Sequence, residues 1–276
     1  MLVNVNGQFI PPEDARVALN DSALLYGDSL FETFRAAGKR IRLQAEHLDR
    51  ICRSAQLLDF PCQRAKIENA LTQMAAKLQH KHSRLRLTLS RGSAQGFQLA
   101  SGHDSWFMVT AVAATSLSLP ERNTGASCLL APNSRCNPLD HLPQMKRGNH
   151  LDCLYAADYA RSHKAQEALF VHQGLVIEGS SSNIFARFKE TLYTPPLGQL
   201  VLGGITRQAL MASAMASGLK VEEKALPLQQ LYRADEIWLS NAMVELLPVA
   251  AINAIAVKRG TRWQEIYRLF KQRTET

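Results

Sequence analysis

The sequence predicts an α+β chain of two domains, on three observations. Its 276 residues exceed the roughly 100–200 residues usual for one domain. Strand-type alternation recurs in both halves with helices in blocks, rather than as alternating strand and helix, which argues against a doubly wound sheet. Residues 116–124, SLSLPERNT, lose periodicity and turn polar, which places a boundary there. The expected domains are therefore 1–118 and 119–276.

Taken in order, residues 2–10 read as a hairpin, because Asn6-Gly7 supplies the positive φ of a two-residue turn. A strand over 30–36 meets a turn at Gly38-Lys39 and returns over 40–43. Residues 44–58 place Leu48, Ile51, Cys52, Ala55 and Leu58 at helical spacing, and Pro61 ends that element. A second helix covers 64–78. RLRLTLS at 84–90 alternates basic and apolar residues, the mark of a strand with one wet face, and 106–113 is apolar enough to read as a wholly buried strand. In the second half the pattern predicts a strand near 127–130, a helix over 149–163, and hairpins from 168–172 with 175–177 and from 182–187 with 191–194. A helix over 206–217 closes on Gly218, a common residue just past a helix end. Strands near 220–224, 236–240 and 246–250 precede a last helix over 261–272.

The formal charge of +8 invites a polyanion partner. The basic residues are scattered, however, and no nucleic-acid motif is present. A small substrate bearing carboxylates or phosphates fits the charge better. The five cysteines are odd in number and form no CxxC, so neither a disulfide framework nor a zinc site is suggested. No metal site is expected. No apolar run is long enough to span a bilayer, and no basic leader followed by an apolar stretch is seen. The expected location is the cytoplasm.

The run EGSSSNIFARFKETLYTPPLGQLVLGGITR, 178–207, collects the residues that carry chemistry. Glu178 follows an apolar strand and suits a carboxylate facing a pyridine nitrogen, where it favours the protonated ring. GGITR opens a helix whose first N–H groups lack partners, a ready anion site. Lys146, in PQMKRGNHLD, precedes a helix and offers an amine that attacks carbonyls when burial lowers its pKa. Arg50 can meet a phosphate bidentately, and Ser240-Asn241, two short polar side chains at a strand end, make either a second phosphate cradle or only a turn. These pieces point to a cofactor bearing a phosphate.

Their order resembles the class IV aminotransferases, the fold-type IV pyridoxal-phosphate enzymes. The matching pieces are YGDSLFETFR (26–35), HLDR (47–50), SRG (90–92), K-x-x-N (146–149), EGSSSNIF (178–185), LYTPP with GGITR (192–207) and SNAMVELLPV (240–249), which span nearly the whole chain. The resemblance implies a small N-terminal α/β domain, a larger C-terminal domain like a β-barrel that carries helices, a homodimer and pyridoxal 5'-phosphate. It implies that Lys146 holds the cofactor covalently and moves protons, and that Glu178 pairs with the pyridine nitrogen. Arg50, the backbone of Ile205 and Thr206, and Ser240 with Asn241 would hold the phosphate. Ser181, Ser182 and Asn183 would form the turn beside the ring.

Three activities share this scaffold in the family: branched-chain aminotransferase, D-amino-acid aminotransferase and aminodeoxychorismate lyase. Thr33, where branched-chain enzymes carry glycine, resembles the lyases and is expected to assist proton transfer. Leu151 replaces the tyrosine of branched-chain enzymes, and Phe31 the tyrosine of the D-amino-acid enzymes. SNAMVELLPV and SRGSAQGF resemble lyase segments, though Gln95 stands where lyases have arginine. The expected reaction converts 4-amino-4-deoxychorismate to 4-aminobenzoate and pyruvate, with amino transfer as the alternative. Phe31, Arg91, Arg35 and Asn149 are expected to meet the substrate.

Overall fold

The computed structural model describes residues 1–275. The chain forms two compact units. The first is Met1–Ser116 with Met145–His150, and the second is Leu117–Gln144 with Leu151 onward. The short segment around Lys146 thus groups with the first unit, although the sequence between it and Ser116 belongs to the second.

The first unit runs β1 (Leu2–Val5), β2 (Gln8–Phe9), a 3-10 turn (Pro12–Asp14), α1 (Ser22–Tyr26), β3 (Ser29–Ala37), β4 (Arg40–Ile41), α2 (Gln44–Leu57), α3 (Arg64–Lys77), β5 (His82–Ser90) and β6 (Trp106–Ala113). Its strands form an antiparallel six-stranded sheet in the order β2-β1-β6-β5-β3-β4. The period of two in β5 sends Leu85, Leu87 and Leu89 into the core, where they meet Leu48 and Ile51 of α2 and Ile67, Leu71 and Met74 of α3. Arg84 and Arg86 alternate with them and stay exposed. β6 differs from the expectation of a wholly buried strand. Phe107, Val109 and Ala111 are buried, while Trp106, Met108, Thr110 and Val112 are only half-buried, because helices cover one face of the sheet and not the other.

Helix α1 is a short element that the sequence pattern does not announce. Asp21 caps it by accepting from Ala23 N at 2.8 Å, and Gly27 closes it in the left-handed region at φ 67°. The same carboxylate accepts from Ser90 Oγ at 2.8 Å and Trp106 Nε1 at 2.6 Å, tying the short helix to β5 and β6.

The second unit runs α4 (Leu119–Thr124), β7 (Ala126–Leu130), α5 (Leu151–Ser162), β8 (Glu167–His172), β9 (Leu175–Gly179), β10 (Asn183–Phe188), β11 (Thr191–Thr194), α6 (Ile205–Ala216), β12 (Lys220–Glu223), β13 (Leu226–Pro227), α7 (Leu228–Leu231), β14 (Glu236–Asn241), β15 (Glu245–Ile252), β16 (Ile255–Ala256) and α8 (Arg262–Glu275). Ten strands form one mixed sheet in the order β12-β11-β10-β14-β15-β7-β8-β9-β13, with β16 on β15. Three pairs are parallel: β11 with β12, β15 with β7, and β7 with β8. Ile184 and Ala186, Ile237 and Leu239, Leu247 and Val249 fill its core. Helix α4 lies in the stretch read as aperiodic. Ser118 and Glu121 make a reciprocal capping box there, a spacing visible in SLPE. Among the described residues no helix is long and apolar enough to cross a membrane.

Candidate active site

In the first unit the chemistry is organised on β3. Its alternation sends Leu30, Glu32 and Phe34 toward α2, and Phe31, Thr33 and Arg35 to the other face. β4 pairs only with Ala36 and Ala37, which leaves the edge at the start of β3 for another segment. The stretch around Lys146 takes that edge. Phe31 N donates to Lys146 O at 2.9 Å, Gly148 N donates to Ser29 O at 2.7 Å, and Leu30 lies opposite Arg147. Gly148 is needed for this approach, since a Cβ there would meet Ser29 Oγ at 2.0 Å. The backbone therefore fixes where the lysine starts. Its Nζ lies 4.4 Å from the centroid of the Phe31 ring, and the Arg86 guanidinium carbon lies 3.8 Å from the same centroid. The His150 ring meets Phe31 edge-on at 5.6 Å. Thr33 pairs with Arg86 across the β3–β5 ladder, and Arg35 with Arg84.

On the α2 side, Glu32 holds Arg50 and His47. Arg50 Nε donates to Glu32 Oε1 at 2.7 Å and Nη2 to Oε2 at 2.6 Å, and His47 Nδ1 lies 2.7 Å from Oε2. One edge of the guanidinium fork is thereby fixed by a bidentate pair. Burial alone would raise the Glu32 pKa, but Arg50 and His47 outweigh it and hold it at about 2. Burial pushes the His47 pKa down; Glu32 opposes this, and the Arg50 and Lys146 charges add to it. Glu32 and His47 were not singled out in the sequence. The signal was there, because His47 and Arg50 are three apart on one helix and so share a face.

The sign of the Glu32 shift gives a prediction. Its pKa is depressed on folding from the ordinary 4.5 to about 2, so its contribution is full above about pH 4.5 and is lost as pH falls toward 2. Glu32→Gln is expected to lower stability by about 3 kcal/mol at neutral pH. In urea titrations the gap between wild type and variant should narrow as pH falls from 4.5 toward 2. A gap constant across that range would contradict the assignment.

Arg91, expected to meet a substrate carboxylate, is placed elsewhere. Its Nε donates to Asp28 Oδ2 at 3.0 Å, Nη1 to Asp59 O at 2.7 Å and Nη2 to Leu58 O, and it stacks 4.0 Å over Phe60. It closes the C-terminal end of α2. Arg35 is buried in β3, and Asn149 is exposed beside Gly27. Arg86, which the sequence reading passed over, is the arginine that stacks on Phe31.

In the second unit, Glu178 ends β9 with both oxygens engaged. Oε1 accepts from Arg135 Nε at 2.8 Å and Oε2 from Leu202 N at 2.9 Å. Arg135 Nη1 also donates to Asp152 Oδ2 at 2.5 Å. Burial opposes the Arg135 cation, but Glu178 and its neighbours hold its pKa above the ordinary value. Burial would raise the Asp152 pKa; the Cys136 N–H and Arg135 bring it below normal. Leu202 is clasped from both sides, since its carbonyl accepts from Asn183 Nδ2 at 2.8 Å. Glu178 and Asn183 together thus set the chain entering Gly203-Gly204 and helix α6. Gly204 lies so close to Asn183 that a Cβ would meet its Oδ1 at 2.0 Å. Ser240 is opposite Asn183 in the β10–β14 ladder.

The serines of the turn face inward. Ser180, Ser181 and Ser182 all donate their hydroxyls to the buried Glu167, the last two at 2.9 and 2.7 Å. Ser181 and Ser182 shape the turn through this acid, a residue the sequence reading did not mark. Asn241 Oδ1 accepts from Met243 N and Val244 N, both at 2.8 Å, and so builds the turn after β14.

What remains suits a phosphate. Helix α6 starts at Gly204 with no side-chain cap and no acid in its first turn, so the N–H groups of Ile205 and Thr206 point out of an uncapped positive helix end. The Ser240 hydroxyl is buried without a hydrogen-bond partner among the described residues, a cost of about 1–3 kcal/mol that an added acceptor relieves. Within the second unit, an uncapped helix start, a buried hydroxyl and a buried carboxylate tied to the same helix start suit a phosphorylated ligand.

Comparison with known proteins makes the class specific. Residues 29–252 match the family model for amino-transferase class IV, and the chain belongs to that family. It is 31% identical to a putative branched-chain-amino-acid aminotransferase of Methanocaldococcus jannaschii, over 92% of this chain and 88% of that one. It is 28% identical to the aminodeoxychorismate lyase of Bacillus subtilis, over 92% of this chain and 87% of that one. The solved branched-chain amino acid aminotransferase from Escherichia coli superposes with a TM-score of 0.88 at 27% identity, covering 99% of this chain and 94% of that one. The family depends on pyridoxal 5'-phosphate, and this is the cofactor of the enzyme. The two-domain α+β fold of fold type IV is the one expected from the sequence.

Proposed function

We propose that the chain is an aminodeoxychorismate lyase, which turns 4-amino-4-deoxychorismate into 4-aminobenzoate and pyruvate. The observation that carries the reading is Thr33. It shares a face of β3 with Phe31, whose ring meets Lys146 Nζ, and it lies across the ladder from Arg86. A hydroxyl there can steady an amine during proton transfer, where glycine offers nothing. The similarity to the Bacillus subtilis lyase supports it.

Bound pyridoxal phosphate supplies a sink for the electron pair left when a proton is removed from the carbon bearing the substrate amine. The N–H groups of Ile205 and Thr206 and the Ser240 hydroxyl would hold the phosphate, with Arg50 contributing the edge of its guanidinium that does not meet Glu32. Glu178 would pair with the ring nitrogen, and Arg135 orients that carboxylate by donating to its Oε1. Lys146 Nζ would anchor the cofactor until the substrate amine displaces it, and the freed amine then takes the proton from C4 of the substrate. The C3–O bond breaks, and Lys146, assisted by Thr33, returns a proton to the methylene carbon of the departing fragment, which leaves as pyruvate. The ring becomes aromatic, which drives the step forward. Arg86 meets a substrate carboxylate, with Arg35 behind it in the same row.

Two variants separate the arginines. Arg86→Ala is expected to raise KM roughly 10-fold or more with little change in thermal midpoint. Arg91→Ala is expected to lower stability by about 2–4 kcal/mol with KM nearly kept in the folded fraction. The reverse pattern would return the carboxylate role to Arg91.

The enzyme acts as a homodimer in the cytoplasm. An exposed apolar group in the first unit supports the dimer: Phe97 is 97% exposed, Leu99 74% and Leu24 57%, and Tyr26 packs edge-on against Phe97 at 6.0 Å. Patches of this kind mark interfaces. Light scattering should give twice the chain mass, and Phe97→Asp should reduce it; a monomeric wild type would remove this part of the reading.

A second reading, amino transfer to a keto acid, is favoured by the relative of highest identity reported above, a putative branched-chain enzyme. Incubation with 4-amino-4-deoxychorismate and no keto acid tests the choice. The lyase releases 4-aminobenzoate; an aminotransferase stops after at most one turnover.

A further inference from the structure

Two of the cysteines meet away from the chemistry described so far. Cys52 lies in α2 and Cys62 in the loop before α3, and their sulfurs are 3.2 Å apart. Both are free and half-buried, whereas Cys128 and Cys153 are buried and Cys136 is exposed. A closing movement of roughly 1 Å brings the pair to bonding distance.

The loop that carries Cys62 is held in place. Arg91 binds the carbonyls of Leu58 and Asp59 and stacks on Phe60. Phe60 N donates to Ala55 O of α2 at 2.8 Å. Pro61 packs so closely on Gly102 that a Cβ at 102 would meet its Cγ at 2.6 Å. Cys52 and Cys62 both pack against the core of the first unit, so the two thiols are set against each other by the fold.

We propose that Cys52 and Cys62 are a dithiol–disulfide site, oxidised by a low-molecular-weight disulfide such as glutathione disulfide. Cys52, as thiolate, attacks one sulfur of the oxidant and releases one glutathione, leaving a mixed disulfide on Cys52. Cys62 then gives up its proton to water and attacks the Cys52 sulfur, releasing the second glutathione. The two protein thiols are oxidised by two electrons, and glutathione disulfide is reduced to two glutathiones. Burial and the neighbouring Cys52 push the Cys62 thiol up to about 12, which suits Cys62 to the resolving step, where its target sulfur is already held beside it at 3.2 Å. The bond closes a ring between residues 52 and 62 that joins α2, the helix of Arg50, to its following loop. This site does not depend on which reaction the enzyme catalyses.

The test is differential alkylation with mass spectrometry on the full chain, incubated in mixtures of glutathione and glutathione disulfide. The expected result is loss of two alkylatable thiols, a Cys52–Cys62 linked peptide, and retained alkylation at Cys128, Cys136 and Cys153. Cys62→Ser should stop at a stable glutathione adduct on Cys52, and Cys52→Ser should form much less adduct. The oxidised chain should melt several degrees above the reduced one, because the ring limits the unfolded chain. Cys52 and Cys62 both staying alkylatable in excess glutathione disulfide would overturn the proposal. So would a glutathione adduct that persists in the wild type, or an oxidised chain that melts at or below the reduced one.

Discussion

Lys146→Ala is expected to lower turnover by at least roughly 10³–10⁴-fold while leaving the fold in place. The lysine is held by its backbone, whose carbonyl accepts from Phe31 N of β3 while Gly148 N donates to Ser29 O, and alanine at 146 keeps both bonds. Only the amine is lost. The purified variant should lack the visible absorbance of lysine-bound cofactor even with added pyridoxal phosphate. Its thermal midpoint without cofactor should match wild type within a few degrees. Lys146→Arg, which keeps the charge on Phe31 but not the nucleophile, should be as inactive. Turnover within about 10-fold of wild type in either variant would remove Lys146 from its role.

Glu178→Gln is the second large effect. The amide can still accept from Leu202 N, so the entry to α6 is kept, but it cannot hold a proton on a ring nitrogen. Loss of this charge is expected to lower kcat roughly 10²–10³-fold, the scale of removing one electrostatic stabiliser from a site. Arg135 loses one of its two carboxylates and keeps Asp152, so stability should fall by about 2 kcal/mol rather than by the 3–5 kcal/mol of a wholly unpaired buried charge. The variant should also release the cofactor faster, read from fluorescence on dilution. Wild-type kcat in Glu178→Gln would mean that the carboxylate serves only Arg135 and Leu202.

Local signals made most of the fold legible. Asn6-Gly7 and Gln173-Gly174 both take positive φ and close the hairpins their sequences announce. RLRLTLS puts every second residue in the core. Short elements escaped, because one helical turn shows no period: α1 rests on the Asp21 cap, and α4 on a capping box whose spacing was present but not used. The segment at Lys146 shows no strand pattern either, since only residues 146–148 pair with β3 and glycine at 148 is what lets them.

Residues with a chemistry of their own stand out as candidates by their place in the chain: Lys146 and Arg50 in the first unit, Glu178 and the start of α6 in the second. Partners that act through another residue were not, because their contacts are distant in sequence. Glu32 reaches Arg50 across 18 positions and Arg135 reaches Glu178 across 43. Glu167 gathers three serines from the next hairpin. Arg91 and Arg86 lie five apart, and only the register of β5 and the position of Asp28 assign one to α2 and the other to Phe31.

We propose that this class IV enzyme eliminates pyruvate rather than transferring an amine. The most direct measurement is the yield of 4-aminobenzoate and pyruvate from excess 4-amino-4-deoxychorismate, with keto acids absent and Lys146→Ala as the control. The account predicts many turnovers, equal amounts of the two products, and no change when 2-oxoglutarate is added. Absence of 4-aminobenzoate, together with glutamate formed from 2-oxoglutarate and a branched-chain or D-amino acid, would contradict it.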